Sequence, residues 1–146
     1  HMAYLFNYVG MPWRTQELVH KINTEFYKNS PEGLIGNEDC GQMSAWFILS
    51  AMGFYPVNPA NGVFVIGSPA LTSASIQLAG NKTFTITSDR KSEKDIYIQS
   101  ASLNGKNYEA AYITYATIMQ GGKLEFRMGN KPNKKWGISS VGRLLE

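Results

Sequence analysis

At Tyr55 the hydrophobic pattern of the chain changes its period, and no other feature restricts the fold as much. Upstream the spacing is helical. Leu18, Val19, Ile22 and Phe26 recur three and four residues apart, which predicts an amphipathic helix over residues 14–28 with those four side chains on its buried face. Pro12 sits where a helix can open, Thr15 or the residues just before it can cap the start, and the turn-forming run 29–33 stops it. A second helix is expected from Gly41 or Gln42 to Met52, because Met43, Trp46, Phe47, Ser50 and Ala51 keep the same spacing and Gly53 supplies a left-handed stop. Downstream the period is two. Runs rich in Val, Ile, Thr, Tyr and Phe fall at 63–66, 75–78, 83–87, 96–99 and 124–128, separated by Asn61-Gly62, Gly80-Asn81, Asn104-Gly105 and Gly121-Gly122. The expected fold class is therefore α+β: helices over residues 3–55, then a β-rich region over 56–146 built as an antiparallel sandwich or part of one.

Composition removes several classes. Hydrophobic residues make up 43% of the 146 and charged residues 17%, which is apolar enough for a packed core and excludes disordered and collagen-like chains. The net charge of +3 comes from scattered rather than striped basic residues, so nucleic acid is not an expected partner. Cys40 stands alone, which excludes an intrachain disulfide framework and a multi-cysteine zinc site. No apolar run reaches the roughly 18 residues of a membrane span. His1-Met2 reads as a remnant of tag removal and Leu145-Glu146 as a cloning scar, and the apolar, periodic residues 3–8 suggest a piece of something longer.

One stretch is chemically distinctive: Gly36-Asn37-Glu38-Asp39-Cys40-Gly41-Gln42, leading into the second helix. Asp39 followed three residues later by Gln42 fits a capping box, with both side chains satisfying orphan backbone donors. A carboxylate in the same place can also orient a water molecule or hold a hard cation such as calcium. Both roles stay open on the residues alone. The other candidates are plainer. His20 lacks a ligand partner and reads as a half-exposed helix residue, and Cys40 reads as a small buried hydrophobe. Trp13, Trp46 and Trp136 fit core or rim positions, with sugar stacking as the alternative. Asn81-Lys82-Thr83 matches the glycosylation sequon.

Residues 36–57, GNEDCGQMSAWFILSAMGFYPV, closely resemble the signature segment of glycoside hydrolase family 92, the calcium-dependent exo-α-mannosidases. Residues 4–16 (YLFNYVGMPWRTQ), 65–69 (VIGSP), 96–105 (IYIQSASLNG), 121–126 (GGKLEF) and 128–137 (MGNKPNKKWG) are similar to further family segments in the same order.

The resemblance implies a C-terminal piece of a much longer enzyme: the last helices of an (α/α)6 barrel followed by terminal β structure. It implies removal of terminal α-linked mannose, commonly α-1,2, with inversion, a calcium ion on the sugar, and an exported protein (periplasmic, cell-surface or secreted). By position Asp39 is the general base, with Glu38 supporting the base or the metal. Asn37 departs from the family, which often carries an acidic residue there, and an amide cannot take the proton. By the same resemblance the general acid lies in family segments upstream of His1, and no residue of this chain is matched to the family's other calcium ligands. The implied partners are mannose-containing glycans and the remainder of the parent polypeptide. The piece alone is expected to be inactive and to self-associate through an uncovered apolar helix face. The rival function is a non-catalytic carbohydrate-binding or structural β-sandwich module.

Overall fold

Proline's missing N–H costs nothing in a helix's first turn, and α1 accordingly runs Pro12–Glu25. The computed structural model describes residues 1–140, so Leu145-Glu146 lies outside the described residues. Ahead of α1, residues Met2–Val9 form a 3-10 helix ended by Gly10 in the left-handed region.

α1 is rotated relative to the sequence expectation. Its buried stripe is Pro12, Thr15, Gln16, Val19 and Asn23, whereas Leu18 and Ile22 are half-buried and Phe26 is 37% exposed. The cause is a polar contact: the Gln16 side-chain oxygen accepts a 2.9 Å hydrogen bond from the Ile98 amide, so the helix lies polar side down on the β region. It also stops before residue 28, because Tyr27 pairs with Leu34 in a short antiparallel bridge around the intervening turn. α2 spans Gln42–Met52 and ends as expected at Gly53, whose φ of +110° lets its N–H reach the Leu49 and Ser50 carbonyls.

The β region forms two sheets. β1 (Phe54–Tyr55), β2 (Val63–Ile66) and β7 (Tyr112–Thr114) make one, in the order β1-β2-β7. β3 (Ser73–Leu78), β4 (Lys82–Asp89), β5 (Tyr97–Leu103), β6 (Lys106–Asn107) and β8 (Gly122–Gly129) make the other, in the order β3-β4-β8-β5-β6. Five of the six pairings among described strands are antiparallel; β4 and β8 run parallel, Phe84 to Gly122 through Asp89 to Arg127, so the expected antiparallel sheet is mixed at its centre. A parallel neighbour needs a long crossover, and the chain between these two strands includes β5, β6, β7 and the short helix α3 (Tyr115–Met119).

Alternation along β2 shows the layering. Val63 and Val65 pack with Tyr4, Val19 and Trp46 on the helical side, while Phe64 and Ile66 pack with Phe84, Ile86, Leu124 and Phe126 on the other. The small sheet is thus a middle layer, covered by helices on one face and by the five-stranded sheet on the other. Buried polar groups pin the layers together. Tyr4 donates to Ser50 at 2.9 Å, and the fully buried Asn7 amide donates to the Ile66 and Ala111 carbonyls at 2.9 and 3.1 Å. Such bonds cost little to keep and a great deal to leave unmade.

Candidate active site

Three successive residues, Asp39, Cys40 and Gly41, have φ of +54°, +57° and +93°, and this left-handed run turns the chain into α2. A side chain at each of the first two positions carries a steric cost, so other contacts must hold the turn. Glu38 supplies them. Its backbone carbonyl accepts from the Met43 amide and its side-chain Oε1 accepts from the Ser44 amide, both at 3.2 Å. The Met43 and Ser44 amides at the helix start are therefore satisfied from Glu38, and the Gln42 amide from the Asp39 carbonyl. The N-cap is Gly41, which has no side chain to offer, and the Asp39–Gln42 capping box does not form. The left-handed backbone at Asp39 swings its carboxylate away from the helix amides.

What remains is one unengaged acid on an exposed turn. Asp39 is exposed, and its side chain makes no hydrogen bond or ion pair among the described residues. Asn37 is likewise exposed with a free side chain, whereas Glu38 is half-buried and its second oxygen, Oε2, is buried without a partner. Cys40 is exposed rather than buried, for the same reason that frees Asp39: the left-handed turn points it outward.

Tyr27 braces the turn and was not signalled by the sequence pattern. Its hydroxyl donates to the Met43 carbonyl at 3.1 Å, and its ring stacks on Trp46 (5.8 Å between centroids, 7° between planes) and on Phe47 (4.8 Å, 29°). Burial, then the nearby Glu38 carboxylate, pushes its ionisation upward. Tyr27 also divides two open clefts: one of 440 Å³ beside Ser30, Pro31, Leu34, Ser44 and Phe47, the other of 260 Å³ beside Ala3, Ile22, Gln42, Met43 and Trp46. Neither is lined by Asn37, Glu38 or Asp39, so the acidic turn lies outside both clefts.

The remaining candidates separate from this site. His20 is half-exposed on α1, with burial and the Arg90 guanidinium lowering its pKa. Trp46 and Trp136 are buried, the latter with its indole N–H donated to the Tyr108 carbonyl at 3.1 Å, so neither offers a sugar-stacking face. Trp13 is half-buried, with the Lys134 ammonium 5.3 Å from its ring centre. Asn81 of the sequon occupies the exposed tip between β3 and β4.

An unpaired, exposed carboxylate at the edge of a helix backed by two packed sheets can accept a proton from water or bind a hard cation, which is chemistry that a glycoside-cleaving enzyme can use. Comparison with known proteins agrees. The sequence model of the Glycosyl hydrolase family 92 catalytic domain matches residues 1–130, and the chain belongs to that family. It is similar to the structure of the family GH92 α-mannosidase BT3965 from Bacteroides thetaiotaomicron, with a TM-score of 0.90 and 42% identity over 96% of this chain and 19% of that one. The inverting mannosidase BT2199 from the same bacterium gives 0.89 and 37%, over 94% of this chain and 19% of that one. A protein of Arthroderma benhamiae described as an uncharacterized secreted glycosidase is 33% identical over 92% of this chain and 18% of its own length. The chain thus spans about a fifth of each of these relatives.

Proposed function

We propose that this chain is the C-terminal part of an exported, inverting α-mannosidase acting on terminal α-1,2-linked mannose, and that Asp39 supplies its general base. The observation that carries the reading is the division of labour in the turn: Glu38 meets the helix amides and leaves the Asp39 carboxylate exposed and unpaired. A carboxylate so placed can accept a proton from the attacking water as that water adds to the anomeric carbon. Inversion requires a second carboxyl group, about 6.5–9.5 Å away on the other side of the sugar, to protonate the leaving oxygen. Glu38, adjacent to Asp39 in the chain and bonded to Ser44, sits on the same side as the base, and the acid is assigned to the remainder of the longer polypeptide, as the family resemblance implies. Mannosidase activity among the similar structures, one of them named as inverting, supports the reaction class, and the relative described as secreted supports export.

The family also implies calcium. Calcium takes about six to eight oxygen ligands. Among the described residues no three His, Cys, Asp or Glu side chains gather to hold a metal, and the free side-chain oxygens of the turn, Glu38 Oε2 and those of Asp39 and Asn37, are fewer than calcium takes. These residues do not form a calcium site by themselves.

The test is Asp39→Asn in the full-length enzyme with α-1,2-mannobiose as substrate. Loss of a general base should lower kcat about 10²- to 10⁴-fold with the melting temperature unchanged. Wild-type turnover would remove Asp39 from the mechanism. Proton NMR of the first product should show β-mannose, and α-mannose would refute inversion. The isolated chain should release no mannose.

A further inference from the structure

We infer that Glu38 is a positioning residue: its carboxylate, engaged by the Ser44 amide, sets the left-handed turn that presents Asp39. The inference rests on the reading of Asp39 as base and concerns how that base is held. Two non-glycine residues in succession adopt the left-handed conformation here, and neither side chain bonds to anything that would compensate. The compensation comes from the residue before them. Glu38 closes on α2 twice, through its carbonyl to Met43 and through Oε1 to Ser44, so the backbone leaving Glu38 is fixed at two successive helix amides. On the far side, the Asp39 carbonyl accepts from Gln42 at 3.2 Å and the Gly41 carbonyl from Ala45 at 2.9 Å. Asp39 is thereby clamped at its backbone and left free at its side chain.

The helix N-terminus favours a negative charge in the position Glu38 occupies. Tyr27, bonded to the Met43 carbonyl and stacked on Trp46, walls the same turn from the other side. Glu38 Oε2 is buried without a partner among the described residues, so the carboxylate is held in the turn through Oε1. The geometry gives the two adjacent acids opposite tasks: one is sequestered to build the turn, the other projects from it.

Two variants test this in the full-length enzyme, alongside amide hydrogen exchange on the present chain. Glu38→Ala removes the Ser44 acceptor, and a displacement of Asp39 of about 1 Å should lower kcat roughly a hundredfold with KM little changed. Glu38→Gln keeps an acceptor oxygen and should restore turnover to within about fivefold of wild type, the residue being the lost charge at the helix end. Exchange at Ser44 should accelerate in Glu38→Ala and stay slow in Glu38→Gln. If Glu38→Gln is as damaged as Asp39→Asn, Glu38 handles a proton and the inference fails. If Glu38→Gln recovers only at much higher calcium, Glu38 is a metal ligand and the inference also fails. Unchanged Ser44 exchange in Glu38→Ala would overturn it whatever the kinetics. Failure of the base reading is separate: it shows as normal turnover in Asp39→Asn, with the exchange result untouched.

Discussion

Replacing Gln16 by Met tests whether α1 closes the flank of the large sheet. Gln16 is 1% exposed and its side-chain oxygen is the acceptor for the Ile98 amide at 2.9 Å. Ile98 pairs with Met128 on one side of β5, while β6 on the other side reaches only Ser102 and Leu103. The Gln16→Met side chain has similar length and no acceptor in place of the amide, so the substitution leaves a buried donor unmade at a cost of roughly 1–3 kcal/mol. The unfolding entropy is about 2.1 cal/mol/K per residue, or roughly 0.3 kcal/mol/K for 146 residues. A loss of about 2 kcal/mol therefore lowers the melting temperature by about 6–7 °C. Calorimetry of the chain at neutral pH measures it. Glu17→Gln is the control: it weakens the half-exposed Arg14–Glu17 pair, one residue further along α1, and a surface pair of that kind contributes at most about 1 kcal/mol. A Gln16→Met chain melting within about 1 °C of wild type would refute the reasoning, because the Ile98 amide would then have to reach water.

Three other outcomes follow from the same structure. Gly53→Ala forces a side chain into φ +110° with its Cβ 3.0 Å from the Pro69 Cβ, and should lower the urea midpoint by the equivalent of about 1–3 kcal/mol; an unchanged midpoint would mean the helix end can rearrange. Burial raises the ionisation of Tyr108 to about 12 and also raises that of Tyr4, so the unfolded chain releases these protons first. Stability should thus be full below pH 10 and fall as pH rises from about 10 toward 12, read from urea midpoints; a flat profile to pH 12 would contradict it. Phe47 and Ile48 are 36% and 56% exposed on α2, a helix apolar on all sides, so the isolated chain should self-associate in sedimentation runs and Ile48→Lys should reduce this; a monomeric wild type would refute it.

The sequence was most readable where local chemistry decided the outcome. α2 and its Gly53 stop depend on spacing and one glycine, and the 63–66 strand coincides with β2. In β4 the predicted alternation holds, with Phe84 and Ile86 inside and Thr83, Thr85 and Thr87 half-exposed. Legibility failed where distant segments set the result. β5 runs on to Leu103 through an irregularity between Ile98 and Ser100, which puts Ile98 and Ala101 both inside and breaks the period-two signal used to find it. The buried stripe of α1 is polar because the Ile98 amide, far along the chain, needs Gln16. At the candidate site the turn was evident from its residues, but the tasks of its acids were not. Assigning the cap to Asp39 assumed ordinary backbone geometry, and the positive φ at Asp39 and Cys40 hands the helix amides to Glu38 instead.

The place of β8 has a consequence for how the chain is made. A ribosome delivers Gly122–Gly129 after the seven other described strands of this chain, yet that strand occupies the middle of the five-stranded sheet. Until it emerges, the β3–β4 and β5–β6 ribbons have no partner between them, and Phe84, Ile86 and Ile98 have nothing from β8 to cover them. A nascent chain stalled short of Gly122 would carry two sticky, unzipped ribbons instead of one sheet, which makes the interval before residues 122–129 are synthesised a time when this region needs shelter from its neighbours.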